Sequence, residues 1–503
     1  MGTATLAAPN ALPPLVAEPP AAYLLTPPLT PTVARPTTDV AVSQLPDAGQ
    51  PKSNKWDVRI KELSCHVSLV IAGWADASSG PLIPYIQDHY KISYTVVSML
   101  FVGQCVGFVA AGFMSSWLST RLGLGKVIAL GALVQAIGYI FLIPAFPFGA
   151  MPVFYAISGW GMALQDAQAN VFVATLPNAE RKLSWLHAAY GFGAAVCPLA
   201  ATAFASSGIL FARFYAISLG LAALNCALLV YAFRLNYDVD TSDPVERTFE
   251  APGVPPITDN TEGIELSERR NSTAASSAVD KVPVVDEEEG AVQQPNLTTR
   301  FAQRKHKAVQ KSLLLQALTQ RATFFSAIFL MLYVGSEVSM GGWIVTFLLT
   351  SRNGGNDVGY VATGFWLGLA LGRLLLAPLN TRIGEKRVIY GYVGIALALE
   401  LVIWLRDDLV ANAVVVGIIG LLIGPVYPVA ISILTKVVPR RLHAPSIAFC
   451  AAFGQAGSAV FPFITGALAQ RFSPAALQPV MIALFACMLG LWTFVPSPGR
   501  KRE

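Results

Sequence analysis

The stretch LSCHVSLVIAGWADASSGPLIPY, residues 63–85, decides how the rest of the chain is interpreted. As a helix rising about 1.5 Å per residue, it is long enough to cross the ~30 Å hydrocarbon core of a bilayer. Asp76 lies near its middle, where a carboxylate costs about 2.5–3.5 kcal/mol. Helices that carry such a residue usually turn it toward the bundle interior or a water-filled cavity. The stretch therefore predicts a polar site embedded in a membrane.

The composition agrees with a membrane protein. The chain has 503 residues, of which 54% are hydrophobic and 13% are charged, whereas an ordinary soluble domain has about 25% charged residues. The net charge of +5 does not indicate nucleic-acid binding, because the basic residues lie in short loops and tails. The six cysteines are scattered and form no Cys-x-x-Cys motif, so we expect no disulfide framework, metal site or cofactor.

Twelve apolar segments predict an all-α polytopic membrane protein with twelve transmembrane helices. The first six segments cover about 64–86, 95–117, 127–146, 152–176, 185–206 and 211–233. The second six cover about 322–350, 358–379, 388–405, 410–437, 446–470 and 477–496. The predicted domains are a disordered tail at 1–51, a six-helix bundle at 56–234, a disordered linker at 235–312, a second bundle at 313–496 and a short tail at 497–503.

Basic residues in the short loops predict the orientation. Loops on one side hold five Lys and Arg residues, and loops on the other side hold ten, which makes the second side cytoplasmic. Both termini and the linker then lie in the cytoplasm, and the plasma membrane is the expected location, with the vacuolar or another internal membrane as the alternative. The sequons at Asn271 and Asn296 fall in the linker, so we expect them to be unmodified.

An internal repeat relates the two sets of six segments. The sequence LSTRLGLGKVI at 118–128 aligns without gaps with LNTRIGEKRVI at 379–389, at an offset of 261 residues. The same offset pairs Asp76 with Glu337, Gly80 with Gly341, Gly107 with Gly368, Gly159 with Gly420, and Phe192-Gly193 with Phe453-Gly454. Two parallel copies of a six-helix unit predict a binding cavity between them near the midplane, with alternating access by rocking.

These sequences resemble a known family. TRLGLGK and TRIGEKR are similar to the loop motif of the major facilitator superfamily, although Thr120 and Thr381 stand where that motif carries an acid. GWADASSGPLIPY, LQDAQANVF (164–172), WLHAAYGFGAAVCP (185–198) and YVGSEVSMGGW (333–343) resemble the fucose–proton symporter branch, and especially its fungal members. In that branch, an aspartate in the first helix and an acid in the fourth, followed four residues later by Asn, carry proton coupling and substrate contact. Asp76, Asp166 and Asn170 match those positions.

The candidate site residues follow from depth, spacing and this resemblance. We predict proton coupling at Asp76, Asp166 and Glu337; the alternatives are hydrogen-bonded structural acids and, for Glu337, a pair with Arg373. Predicted substrate-binding residues are Gln165, Gln168, Asn170, Tyr190, Trp343, Trp366, Tyr427 and Gln455. Predicted structural or gating residues are Arg121, Gly123, Arg373, Arg382 and Gly384.

Gln165, Gln168 and Asn170 are expected to share a helical face with Asp166. Other predicted residues have a simpler alternative role. The aromatic residues can serve as packing, and Arg373 can extend toward the interface. His187 is either a cavity residue or a structural histidine, and Glu400 is expected at the membrane interface.

The sequence predicts a secondary active transporter, driven by the proton gradient, for a small polar solute such as a sugar. Its expected partners are the solute, protons and the lipid bilayer, and we expect it to function as a monomer. Export of a fungal metabolite is the first alternative, and a membrane sensor that does not transport is the second. We do not predict an enzyme, because the chain lacks a phosphate-cradling Gly-rich loop, a Gly-x-Ser-x-Gly elbow and a metal-spaced His/Cys cluster.

Overall fold

The computed structural model describes residues 55–235, 313 and 315–497. The tail predicted at 1–51 lies outside the described residues, as do nearly all of the predicted linker, both sequons and the last six residues of the chain.

Twelve long helices in the described part of the chain confirm the predicted all-α architecture. The first half contains α1 (Lys55–Tyr90), α2 (Met99–Leu122), α3 (Leu124–Leu142), α4 (Met151–Ala174), α5 (Ala179–Ser206) and α6 (Phe214–Phe233). The second half contains α7 (Arg321–Ser351), α8 (Tyr360–Leu375), α9 (Glu385–Leu405), α10 in two pieces (Leu409–Ile423 and Val426–Val437), α11 (His443–Arg471) and α12 (Leu477–Phe494). Short helices at Tyr94–Val97 and Ala377–Ile383 precede α2 and follow α8.

Ten of the described helices are long and apolar enough to cross a membrane. The two long helices outside that set are α1 and α4, which carry Asp76 and Asp166 among other polar residues. Large apolar side chains lie on the outer surface, including Phe113, which is 84% exposed, and Val410, which is 72% exposed. Such a surface fits lipid contact. The chain is a multi-pass membrane protein, and α1 and α4 are its two long helices outside the strongly apolar set.

The repeat is visible in the backbone of the two basic loops. Gly123 and Gly384 both adopt positive φ angles, 79° and 98°, which favour glycine because it has no Cβ atom. The N–H of Gly123 donates to the carbonyl of Ser119, and the N–H of Gly384 donates to the carbonyl of Asn380. Both pairs of positions are related by the offset of 261, so the two loops turn in the same way.

Helix packing inside each half follows the same repeat. A Cβ atom at Gly107 would lie 1.9 Å from the carbonyl oxygen of Ala156, and one at Gly368 would lie 2.2 Å from that of Gly417. The offset of 261 again relates both residues of each pair. Because no side chain fits at these distances, α2 contacts α4 and α8 contacts α10 backbone against backbone.

The two halves contact each other toward one end, here called the closed end. A Cβ atom at Gly80 in α1 would lie 2.2 Å from the carbonyl oxygen of Gly341 in α7. Nearby, the N–H of Tyr94 donates to Oε1 of Gln470 at 3.0 Å. The Cys105 thiol donates to the backbone oxygen of Gln455 at 3.2 Å, which ties α2 to α11.

At the opposite end, the described ion pairs lie within each half. Lys182 pairs with Glu62 at 2.6 Å in the first half, and Lys436 pairs with Glu385 at 2.5 Å in the second. His187, near the start of α5, is exposed although it lies within electrostatic range of Arg373 across the interface. At the end where α1 begins, the described residues therefore show no ion pair that joins the two halves.

Candidate functional site

Asp76 lies one helical turn before Gly80, the point where the halves meet. Its Oδ2 accepts a hydrogen bond from the hydroxyl of Tyr190 in α5 at 2.6 Å, and its Oδ1 accepts one from Nε2 of Gln104 in α2. The carboxylate thus joins three helices of the first half while its residue stays partly exposed. Gln104 was not predicted from the sequence, although a polar amide inside an apolar segment is a signal that could have identified it.

Close packing of α1 on α5 positions Tyr190. A Cβ atom at Gly73 would lie 2.0 Å from the carbonyl oxygen of Tyr190, and one at Gly193 would lie 1.9 Å from that of Val70. The two backbones can approach this closely because both contact positions are glycines. The Tyr190 side chain then reaches Asp76, one turn along α1 from Gly73.

Asp166 in α4 is oriented by its own helix. Nδ2 of Asn170 donates to Oδ1 of Asp166 at 3.0 Å and to its backbone oxygen at 2.9 Å. Four residues correspond to about 40° around a helix, so both side chains lie on one face. Asp166 is within electrostatic range of Asp76 and of Tyr427 in the second half. This face of α4 therefore borders the space between the halves.

The prediction that Gln165 and Gln168 share this face is wrong. Gln165 is 2% exposed and donates to Gln135 at 2.8 Å, inside the first half. Gln168 is 3% exposed and donates to Ser115 at 3.0 Å. At about 100° per residue, these positions lie roughly 100° and 200° from Asp166. Their amides hold α4 against its neighbours.

Glu337 and Arg373 form an ion pair in the second half, with Oε1 and Nη2 3.6 Å apart. Nε of Arg373 also donates to the carbonyl oxygen of Gly424 at 3.3 Å, where α10 is broken between its two pieces. The hydroxyl of Tyr333 lies beside both charged groups. The structure thus shows the pairing with Arg373 that the sequence left as an alternative, and Arg373 points to the interior instead of extending to the interface.

We expect Glu337→Leu to destabilise the protein, because it leaves the Arg373 guanidinium without its carboxylate partner. Removing one member of a buried pair costs about 3–5 kcal/mol, whereas replacing both members with apolar residues is often neutral. Thermal unfolding of the purified protein should show a lower midpoint for Glu337→Leu and a recovery in the double variant with Arg373→Met. A single variant as stable as the unmodified chain would contradict this account.

Tyr427 and Trp366 lie near these charged groups. Tyr427 is partly exposed, and its ring centroid is 6.1 Å from that of Tyr333. Trp366 is 2% exposed, and its indole Nε1 has no hydrogen-bond partner among the described residues. It packs against Gly341, where an added Cβ atom would lie 2.5 Å from the indole ring.

Trp343 and Gln455 lie where the halves touch. Trp343 is 2% exposed, and its Nε1 donates to the backbone oxygen of Pro462 at 3.0 Å. Its ring centroid lies 6.0 Å from that of Tyr94. Gln455 accepts from Ser458 through its own Oε1 at 3.2 Å, in addition to the backbone contact with Cys105. These two residues help to seal the closed end in this conformation.

The basic residues of the repeated loops lie away from this site. Arg121 and Arg382 are exposed at helix ends, and the Arg121 guanidinium lies 5.5 Å from the ring centroid of Trp117. Gly123 and Gly384 provide the turns that follow. The roles of all four in gating stay predictions.

The acids and their partners form one polar region between the halves. Asp76 is within electrostatic range of both Asp166 and Glu337, and Tyr190 is within range of Arg373. The described residues contain no group of His, Cys, Asp and Glu side chains suited to a metal ion. Carboxylates, an amide, a guanidinium and phenol hydroxyls at one place can bind a polar solute and exchange protons.

The sequence matches one protein family and one yeast protein. The Major Facilitator Superfamily profile matches residues 65–354 and 321–503. Bypass of stop codon protein 6 of Saccharomyces cerevisiae is 25% identical over 462 residues, which cover 88% of this chain and 83% of the yeast protein.

Two solved structures share the fold. The nucleoside transporter NupG superposes with a TM-score of 0.59 at 11% identity, over 86% of this chain and 99% of that one. A D-xylose–proton symporter superposes with a TM-score of 0.61 at 12% identity, over 88% of this chain and 99% of that one.

Proposed function

The chain belongs to the major facilitator superfamily, and from this we propose that it is a secondary active transporter that couples a small polar solute to protons. The convergence of Asp76, Asp166 and Glu337 between two repeated halves carries the proposal. Charged groups at this depth are costly unless they face a wet cavity or partners. Alternating access supplies such a cavity to each side of the membrane in turn.

The basic-residue count supports an inward-facing conformation. It assigns the end where α1 begins to the cytoplasm, and at this end the described ion pairs lie within each half and His187 is exposed. Contacts at Gly80, Tyr94 and Gln470 then close the outer side. Both termini and the predicted linker are cytoplasmic in this arrangement, and the plasma membrane is the proposed location.

Asp166 is the proposed proton carrier. Asp76 already accepts hydrogen bonds from Tyr190 and Gln104 on two other helices, so a change in its charge would disturb helix packing. The donor to the Asp166 carboxylate among the described residues is Asn170 on its own helix. Asp166 can therefore gain and lose a proton at little structural cost, whereas Asp76 anchors Tyr190 and contacts the solute.

A neutral, hydroxyl-rich solute such as a sugar or nucleoside is the proposed substrate class. Asn170, Tyr190 and Tyr427 offer hydrogen-bonding groups and flat ring surfaces at the acids. The names of the two structural neighbours, a nucleoside transporter and a D-xylose–proton symporter, agree with this class. The resemblance to the fucose–proton symporter branch supports it as well.

Flux into proteoliposomes tests the proposal. The purified protein is reconstituted and offered a panel of labelled sugars, polyols and nucleosides, with and without an inward proton gradient. At least one solute should accumulate when the outside is acidic and only equilibrate when the gradient is collapsed. Binding without flux for every solute would contradict transport and favour a sensor. Flux of larger apolar metabolites with no sugar flux would favour export instead.

A further inference from the structure

A second acid lies inside the second half, away from the space between the halves. Glu400 in α9 is 0% exposed, and neither carboxylate oxygen has a hydrogen-bond partner among the described residues. The expected position at the membrane interface is therefore wrong, because helices packed around α9 cover this residue. An ionised carboxylate with no partner is among the most costly groups to bury.

The register of α9 against α12 places Gln478 opposite Glu400. The indole Nε1 of Trp492 in α12 donates to the backbone oxygen of Lys386 in α9 at 2.9 Å, and the two helices run antiparallel. Glu400 is fourteen residues after Lys386, and Gln478 is fourteen residues before Trp492. Fourteen residues make about four turns, with a drift of about 40°, so we infer that both side chains lie near the contacting faces at a similar depth.

Gln478 lacks partners in the same way as Glu400. It is 0% exposed, and neither its Oε1 nor its Nε2 has a hydrogen-bond partner among the described residues. Buried polar atoms are rarely left unsatisfied in folded proteins. If the two side chains face each other, Nε2 of Gln478 can donate to one oxygen of Glu400, which leaves Oε1 of Gln478 and the other Glu400 oxygen in need of a shared proton.

We propose that Glu400 and Gln478 form a proton-binding site within the second half, separate from the transport site. With a proton on Glu400, its O–H donates to Oε1 of Gln478, and Nε2 of Gln478 donates to the other oxygen of Glu400. One proton and small side-chain rotations thus satisfy all four atoms. Without the proton, Oε1 of Gln478 has no donor.

The charged groups nearby interact with groups other than Glu400, and Nε of Arg352 has no hydrogen-bond partner among the described residues. At the end of α7, Nη2 of Arg352 donates to the backbone oxygen of Ile403 at 2.8 Å, and its Nη1 pairs with Asp407 at 2.7 Å. From α10, the buried Asn412 donates to the backbone oxygen of Arg406 at 3.3 Å. Arg406 and Asp408 lie in the exposed loop, and α12 carries no charged residue. Among the described residues that pack here, no side-chain cation is shown to neutralise Glu400, and the proposal assigns this role to a bound proton.

The first half supports a neutral group at this position. The offset of 261 relates Glu400 to Tyr139, which is 4% exposed and whose hydroxyl accepts from Nε2 of Gln135 at 3.2 Å. Tyr139 also borders a cavity of about 20 Å³. The first half thus carries an uncharged O–H group, that of Tyr139, at the position equivalent to Glu400. A protonated Glu400 supplies a similar O–H group in the second half.

Infrared difference spectroscopy of the full-length protein in lipid nanodiscs tests the site. The spectrum of the unmodified protein minus that of Glu400→Gln should contain the C=O stretch of a protonated carboxyl group, and this band should disappear at alkaline pH. Glu385→Gln is the matched control on the same helix. Because Glu385 is paired with Lys436, that variant should not remove the band.

Thermal unfolding gives a second readout. At neutral pH, Glu400 holds a proton in the folded protein but not in the unfolded chain. The unfolding midpoint should therefore fall as pH rises. Glu400→Gln should remove this contribution to the pH dependence. Gln478→Leu keeps the acid and should move the infrared band to the frequency of a carboxyl group with weaker hydrogen bonds. This variant replaces Glu400→Gln as the test if Glu400→Gln does not fold.

Two results would overturn the site. One is the absence of a protonated-carboxyl difference band at every pH, together with no effect of Gln478→Leu. The other is stabilisation of the unmodified protein by sodium but not by potassium, lost in Glu400→Gln, which would make this a metal-cation site. Neither result bears on solute flux through the space between the halves, so the proposed transport function is judged separately.

Discussion

Asp166→Asn should abolish proton-driven accumulation of the solute while leaving solute exchange across the membrane intact. The carboxylate of Asp166 can carry a proton through the cycle, whereas the amide of Asn cannot. Asn keeps the size of the side chain and can still face Asn170, so the solute site should stay formed. At one proton per solute, a gradient of one pH unit stores about 1.4 kcal/mol, equivalent to roughly tenfold accumulation. In the variant this ratio should fall to about one.

Reconstituted vesicles allow both quantities to be measured on the same preparation. Accumulation is followed under an imposed pH gradient, and exchange is followed with solute on both sides and no gradient. Asp88→Asn is the matched control, because Asp88 is an exposed acid at the closed end, paired with Lys91 at 2.6 Å. That control should accumulate normally. If Asp166→Asn also kept gradient-driven accumulation, Asp166 would not be the proton carrier.

Gly80→Val should reduce transport to background by preventing the halves from closing at the outer end. A Cβ atom at Gly80 would lie 2.2 Å from the carbonyl oxygen of Gly341, and real Cβ atoms do not approach other atoms so closely. The contact involves backbone, which cannot rotate away as a side chain can. We expect the variant to occupy outward-open conformations, with the solute site still formed but the cycle stopped.

Cys105 reports on this closure without any introduced label. It is a free cysteine, and its thiol contacts the backbone of Gln455 across the interface. In Gly80→Val, a membrane-impermeant thiol reagent added outside should modify Cys105 faster, as measured by mass spectrometry. Gly220→Val is the matched control, since a Cβ atom at Gly220 has nothing within 4 Å. Equal transport and labelling in the two variants would exclude Gly80 as a closure point.

The sequence was sufficient to predict the fold because the governing signals are local or periodic. Apolar length predicts spanning helices, and the offset of 261 predicts two copies with equivalent packing. The nearest contacts of Gly107 and Gly368 are the carbonyl oxygens of Ala156 and Gly417, which are related by that offset. The depth of Asp76 also predicted a polar position between the halves, because burial of charge is restricted in any bilayer protein.

Other features depended on neighbours that no single segment specifies. The direction of Gln165 and Gln168 follows from which face of α4 meets α2 and α3, and spacing alone does not determine that choice. Burial of Glu400 required the packing of α12 on α9. The start of α1 at Lys55, earlier than the apolar segment, reflects charged turns stabilised by pairs such as Lys61 with Asp57 at 2.6 Å.

The glycine contacts within each half have a consequence for the surrounding lipid. Where α2 meets α4 and α8 meets α10 with no side chain between them, the helices cannot slide or compress, and each half is a stiff block. Stiff blocks do not absorb a shape change internally. Every turnover therefore changes the outline that the protein presents to its annulus of lipids. We expect the bilayer to deform as the two halves rock, so its elasticity should contribute to the barrier between conformations.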